Sequence, residues 1–287
     1  SVLLARVTAI VSSRRPEGTP LQPNSELSDV GSAVQISADA IRVDLESRLD
    51  ATGKRVSLLR RVHAEGPNGV NLTAAAGQSV RGDVIDYDRS TGVAFATGKP
   101  ARAEWTPADS RGTPRTSFVE STEIRATFDR GEGEAADSMR EVTCDGGRIV
   151  AYLVGEAKDG EPPADPRRII VLAKGPIVVG RTAATASTEV DVGLQSLAGR
   201  RFEPVGRLLC DRIEMTFDTA GERDLSAVKQ FVATGTSVSQ ATFDAPELEG
   251  RGDRIEASGA DQRVKLSATG GRSVAMHVKS SDRKSVV

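Results

Sequence analysis

Apolar and polar residues alternate along most of this chain. Ile41, Val43 and Leu45 take every second position of IRVDL, as do Ile85 and Tyr87 in VIDYD and Val93 and Phe95 in VAF. Ala101, Ala103 and Trp105 do so in ARAEW, and the beat returns at Ile213, Met215 and Phe217 and at Val274, Met276 and Val278. A period of two, broken by clusters of Gly, Asp, Asn and Pro, predicts antiparallel strands with one face buried. Helical spacing is scarce. DLSAVKQFVA (224–233) comes nearest and scans equally well as a strand. The pattern predicts an all-β chain.

A longer period lies over the short one. SADAIRVDL (37–45) and LCDRIEMTF (209–217) both place Ile two residues after an Asp, LLRRVHAEG (58–66) matches AVKQFVATG (227–235), and RGDVI matches RGDRI. The matched residues are 172 (211 − 39), 169 (235 − 66) and 170 (253 − 83) positions apart, in the same order. That is an internal repeat. A weaker middle copy carries STEIRATF (121–128), MREVTCDGG (139–147) and PRRIIVLAKGPIVVG (166–180), with a closing apolar-Gly-apolar element at Gly98, Gly175 and Gly270. The reading is three modules, 33–106, 119–181 and 205–279, joined by a linker at 107–118 and a connector at 182–204, with a solvated tail at 280–287. Residues 1–32 read as the closing strand of an upstream module plus a linker. With no initiator Met, this predicts a processed chain or a fragment.

A single module has too few strands to bury its apolar face, whereas stacked modules share one interior. Two such sheets enclose a trough about 10 Å across. The candidate inward set is Ile41, Val43, Leu45, Val62, Ile85, Tyr87, Val93 and Phe95 in the first module. Its counterparts in the third are Ile213, Met215, Phe217, Phe231, Ile255, Val264, Leu266 and Met276. Periodicity leaves open whether these side chains fill the trough or line it for a ligand.

Composition narrows the function classes. Hydrophobic residues at 38% and charged ones at 27% describe a globular chain, and a net charge of −2 gives no electrostatic footprint for nucleic acid. Aromatic residues, at 3%, are too few for platforms that stack sugars or bases, which disfavours a carbohydrate-active solenoid. No run approaches the roughly 18 apolar residues of a membrane helix. Cys144 and Cys210 could be two buried thiols or one disulfide. His63 and His277 are the only histidines, with no Cys at ligand spacing, so no metal or other cofactor is expected. Asp39, Asp83, Asp211 and Asp253 recur without a dense calcium-ligand array and read as strand-entry residues. The two Arg-Gly-Asp triplets lead into strands, so Gly82, Asp83, Gly252 and Asp253, with Gly98 and Gly270, read as structural turn residues rather than an adhesion signal. No nucleophile–base constellation is visible. The chain is not expected to be an enzyme.

The first module resembles the OstA-like repeat of periplasmic lipopolysaccharide-transport proteins of the LptA and LptC type. Gly82, Asp83, Ile85, Tyr87, Asp88, Thr91, Gly92, Gly98 and Pro100 match that hairpin position by position. The third module keeps Gly252, Asp253, Ile255 and Gly270 but has Glu256-Ala257-Ser258 where the repeat has Tyr-Asp, and the middle copy keeps only Gly175-Pro176. The resemblance implies an elongated, twisted β-jelly roll, or β-taco, whose greasy interior shields acyl chains on the way to the outer membrane. It implies a periplasmic location and a lipopolysaccharide-like lipid as partner. It also implies head-to-tail pairing with other jelly-roll components through edge strands near 1–12 and 271–279, and allows a membrane anchor outside this chain. Burying a chain of about twelve carbons gives about 10 kcal/mol of gross stabilisation, so a uniform aliphatic trough that lets cargo slide suits a conduit. The alternative is a closed, packed β-repeat serving as a scaffold in an envelope assembly.

Overall fold

The computed structural model describes residues 7–11, 34–49, 55–74, 78–105, 116–129, 138–153, 167–198, 201–217, 228–246, 248–258, 263–269 and 272–279. Gly270, residues 107–115 of the linker at 107–118 and the tail at 280–287 lie outside them. Among the described residues every regular element is a strand. The strands are β1 (Val7–Val11), β2 (Val34–Ala38), β3 (Ala40–Leu49), β4 (Arg55–Thr73), β5 (Gln78–Asp88), β6 (Val93–Trp105), β7 (Ser117–Asp129), β8 (Ser138–Leu153) and β9 (Arg167–Gly180). They continue with β10 (Ala183–Ala198), β11 (Arg201–Phe217), β12 (Val228–Thr234), β13 (Ala241–Asp244), β14 (Leu248–Gly252), β15 (Arg254–Ser258), β16 (Arg263–Ser267) and β17 (Ala275–Val278). The chain is all-β, as the alternation predicts, and DLSAVKQFVA ends in strand β12.

Many strands are longer than the broken alternation suggests, β4 running for 19 residues and β11 for 17. The breakers bend the strands instead of ending them. Register slips between Glu65 and Val70 in β4, between Arg81 and Val84 in β5, and between Ser187 and Val190 in β10. Extra residues at a bulge turn the strand and let it serve two ladders.

Two compact units result, Ser1–Ala108 with Glu120–Thr143 and Asp109–Val119 with Cys144–Val287. In the first, β4 pairs with β3 on one side of its bend and with β2 on the other, and β2 pairs in turn with β1. In the second, β11 feeds a ladder through β12, β15 and β16 and another through β13, β14 and β17. Each unit is thus a bent antiparallel sheet of jelly-roll type. The segment 182–204, read as a connector, holds all of β10 and the start of β11. Its Thr185, Ser187 and Asp191 look like linker composition, but they alternate with buried Ala184, Ala186, Val190 and Val192.

Glycines mark the bends where the backbones come closest. A Cβ on Gly82 would sit 2.6 Å from the Thr97 carbonyl oxygen, and Gly146 adopts φ +72°, which side-chain-bearing residues avoid. Gly82 and Asp83 therefore lie inside β5, at its bend, and Gly98 lies inside β6. Gly252 closes β14, and Asp253 bridges it to β15. Asp39 and Asp253 tie the bends. Asp39 accepts from the Asn68 backbone N–H at 3.2 Å, and Asp253 from the Thr269 N–H at 2.6 Å and Arg272 at 3.1 Å. The Thr269 N–H holds the Asp253 carboxyl below the usual carboxylate range. At the β5–β6 turn, hydrogen bonds from the Ser90 side chain and from Arg61 (2.9 Å) hold the Asp88 carboxyl down at about 2.

Candidate functional site

The inner face of each unit is built in rows of register partners, and exposure along a row rises toward the terminal strand. In the first unit Ala96, Ile85 and Ala64 are 0% exposed, and the row ends on half-buried Ile41 of β3. The next row runs from Ala94 (0%) through Tyr87 (3%) and Val62 (2%) to Val43, which is 41% exposed. Leu45, further along β3, is 63% exposed. The second unit repeats the gradient. Ile213, Ala233 and Ile255 are buried and lead to half-buried Leu266 of β16, while Met215 leads through half-buried Phe231 to Val264, which is exposed. On the other ladder, buried Leu208 leads through Phe243 and Gly250 to exposed Met276 of β17.

The cause is topological. An inner strand has a hydrogen-bonded neighbour on each side, and their side chains close over it; β3, β16 and β17 each have one described neighbour. Each unit therefore carries an apolar surface that is closed to water in the middle and uncovered at its margin.

One candidate lining residue faces the other way. Phe95 pairs with exposed Asp86 and lies on the outer face, 45% exposed, with the Arg125 guanidinium 5.8 Å from its ring centroid. The inward positions of VAFATG are the small ones, Ala94 and Ala96, set opposite the large Tyr87 and Ile85. Phase changes at the bend: Ala94, Ala96 and Gly98 are buried before it, and Ala101, Ala103 and Trp105 after it. Reading one phase through the whole strand puts Phe95 on the wrong side. Val93 shares the parity of Phe95 but is buried beside the turn. The backbone of Phe217 pairs with Val228, and its side chain lies outside the described residues.

Trp105 is inward and absent from the sequence-derived set. The signal was present in the alternation of ARAEW but was not carried into that set.

The outer face is polar and cross-linked. His63 Nδ1 lies 2.7 Å from Asp86 Oδ1 and Nε2 lies 3.8 Å from Glu65, and the Asp86 hydrogen bond raises the imidazole pKa above 6.5. In the second unit a hollow of about 460 Å³ opens on this face between Arg207, Leu209, Asp244, Glu249, Arg251 and His277. Its walls are partly neutralised, Arg207 by Asp191 at 2.6 Å and Asp244 by Lys279. Cys144 and Cys210 are half-buried and not bridged to each other, and burial, reinforced by the Asp211 and Asp191 carboxylates, pushes the Cys210 thiol up to about 12. Among the described residues no three His, Cys, Asp or Glu side chains are placed to hold a metal ion. Asp83 and Asp253 each sit at their own bend and form no paired-carboxylate site.

No family model, curated protein or solved structure matches this chain.

Proposed function

We propose that the protein is a periplasmic lipid carrier that takes lipopolysaccharide-like acyl chains along the apolar inner faces of its jelly-roll units, toward the outer membrane. The observation that carries the reading is the exposure gradient. The inner rows traced above are apolar, and their uncovered stretch lies at Val43 and Leu45 in one unit and at Val264 and Met276 in the other. Hydrocarbon placed there removes apolar surface from water at about 25 cal/mol per Å². The inner rows offer it no charged group. Cargo leaving one position meets another of nearly equal affinity, which suits passage better than storage. The resemblance of the first module to lipopolysaccharide-transport repeats points the same way, as does the strand edge without a second described neighbour at each margin, a template for β-augmentation by a like component.

A second reading, a packed envelope scaffold, is favoured by the middle of the rows. Ala64, Ile85, Ala94 and Ala96 are completely shielded, so cargo entering there must displace existing packing.

Photo-crosslinking separates the two. A photoreactive residue at Val43 or Leu266 is expected to capture lipopolysaccharide, while one at Phe95, on the opposite face of the same sheet as Val43, is not. Equal capture at all three positions, or none at any, removes the carrier reading and leaves the scaffold.

A further inference from the structure

Trp105 ends β6 and is the only tryptophan in the chain. The alternation that buries Ala101 and Ala103 carries it to the inner face of the first unit, where it is 9% exposed. Its indole Nε1 is shut off from solvent and donates to no group among the described residues. Its register partner is Gln78, whose side-chain Oε1 is engaged by the Met139 backbone N–H at 2.7 Å. The adjacent inner row is Ala103, Val80 and Leu72, all apolar and at most 1% exposed.

A buried N–H without an acceptor is costly, and phenylalanine would supply the ring without that cost. A resident water would need two or more polar partners, which this row lacks. A phosphate would bring a charge onto an apolar surface, where Arg81 and Arg102 sit on the opposite face of the same strands. A neutral, single acceptor attached to hydrocarbon fits the donor and the apolar row beside it, and it reaches Nε1 by displacing packing at the end of β6.

We propose that the Trp105 indole N–H positions the carbonyl oxygen of an ester- or amide-linked acyl chain, with the hydrocarbon running along the inner face from the end of β6. This rests on the lipid-carrier reading and adds to it. The ligand class becomes acyl lipids with a carbonyl at the head of the chain, held at one point of an otherwise uniform surface. Such a point sets the depth at which the chain sits without selecting among head groups.

The test uses two lysophosphocholines that differ only at that linkage, 1-palmitoyl with an ester carbonyl and 1-O-hexadecyl with an ether. Both compete against the fluorescent apolar probe N-phenyl-1-naphthylamine on the whole chain. The wild-type protein is expected to bind the ester about three- to tenfold more tightly, the range of one neutral hydrogen bond. Trp105→Phe is expected to bind both lipids equally, at the affinity of the ether. The wild type also reports directly, because its single indole N–H resonance should move downfield with the ester and not with the ether. That readout stands even if Trp105→Phe fails to fold. An ester-to-ether ratio near one in the wild type, a preference kept by Trp105→Phe, or an indole resonance indifferent to the linkage overturns the proposal while leaving a lipid carrier. Displacement of the probe by neither lipid overturns both.

Discussion

His63 is held between two carboxylates on the outer face of the first unit. Asp86 from β5 is the closer at 2.7 Å, Glu65 shares its own strand, and Arg42 of β3 is its register partner on the other side. The Asp86 hydrogen bond is the main cause of its raised pKa. A raised value means the folded state binds the proton more tightly than the unfolded chain does. The resulting stabilisation is fully present below 6.5 and is lost as pH rises through the folded-state value. An NMR titration is expected to place His63 above 6.5, and Asp86→Asn to return it toward 6.5; an unchanged midpoint in that variant would remove the assigned cause. The side chain is 43% exposed, so the effect on global stability stays small. Cys210 belongs to the same scale, since the burial that keeps it protonated also makes it a weak nucleophile at neutral pH.

Among the elements, the bends decide more than the straight runs. Register shifts bend β4, β5 and β10, the bend in β4 lets that strand cross between ladders, and at Gly82 close backbone contact leaves no room for a side chain. Gly82→Ala is expected to destabilise the protein by about 1–3 kcal/mol, because the new methyl meets the Thr97 carbonyl. Gly193→Ala provides the contrast: a Cβ there meets nothing within 4 Å, and the change is expected to stay within about 0.5 kcal/mol. Urea unfolding of the two variants against wild type measures both. Similar losses would show that strand propensity, not close approach, governs these positions.

For the molecule as a whole, the consequence is uneven protection. Strands β4, β5 and β11 have hydrogen-bonded neighbours on both sides, whereas β3, β16 and β17 each have one described neighbour. Hydrogen exchange in dilute solution is expected to label the amides of 41–45 and 264–266 well before those of 62–64 and 213–215. Uniform protection would mean that the margins are covered, and these edges would not be available to a partner. The apolar side chains left open at those same strands make one structural fact serve both proposed roles, entry of hydrocarbon and strand pairing.

The β class and the facing of most inward residues were legible in the chain because a strand side chain faces one side or the other with period two. Ile85, Tyr87, Val62, Ile213, Met215 and Ile255 follow from that alone. Phase was not legible. A bend inside β6 shifts the alternation by one, so Phe95 and Trp105 share a parity in the sequence and lie on opposite faces in the fold. Glycine and aspartate looked like strand boundaries because local composition is the same at a bend as at an end, and only the register of neighbouring strands separates the two. Tertiary structure also decided which apolar residues are covered. Val43 and Val62 are equivalent by pattern and pair across one ladder, yet the second has a strand beyond it and the first has none among the described residues.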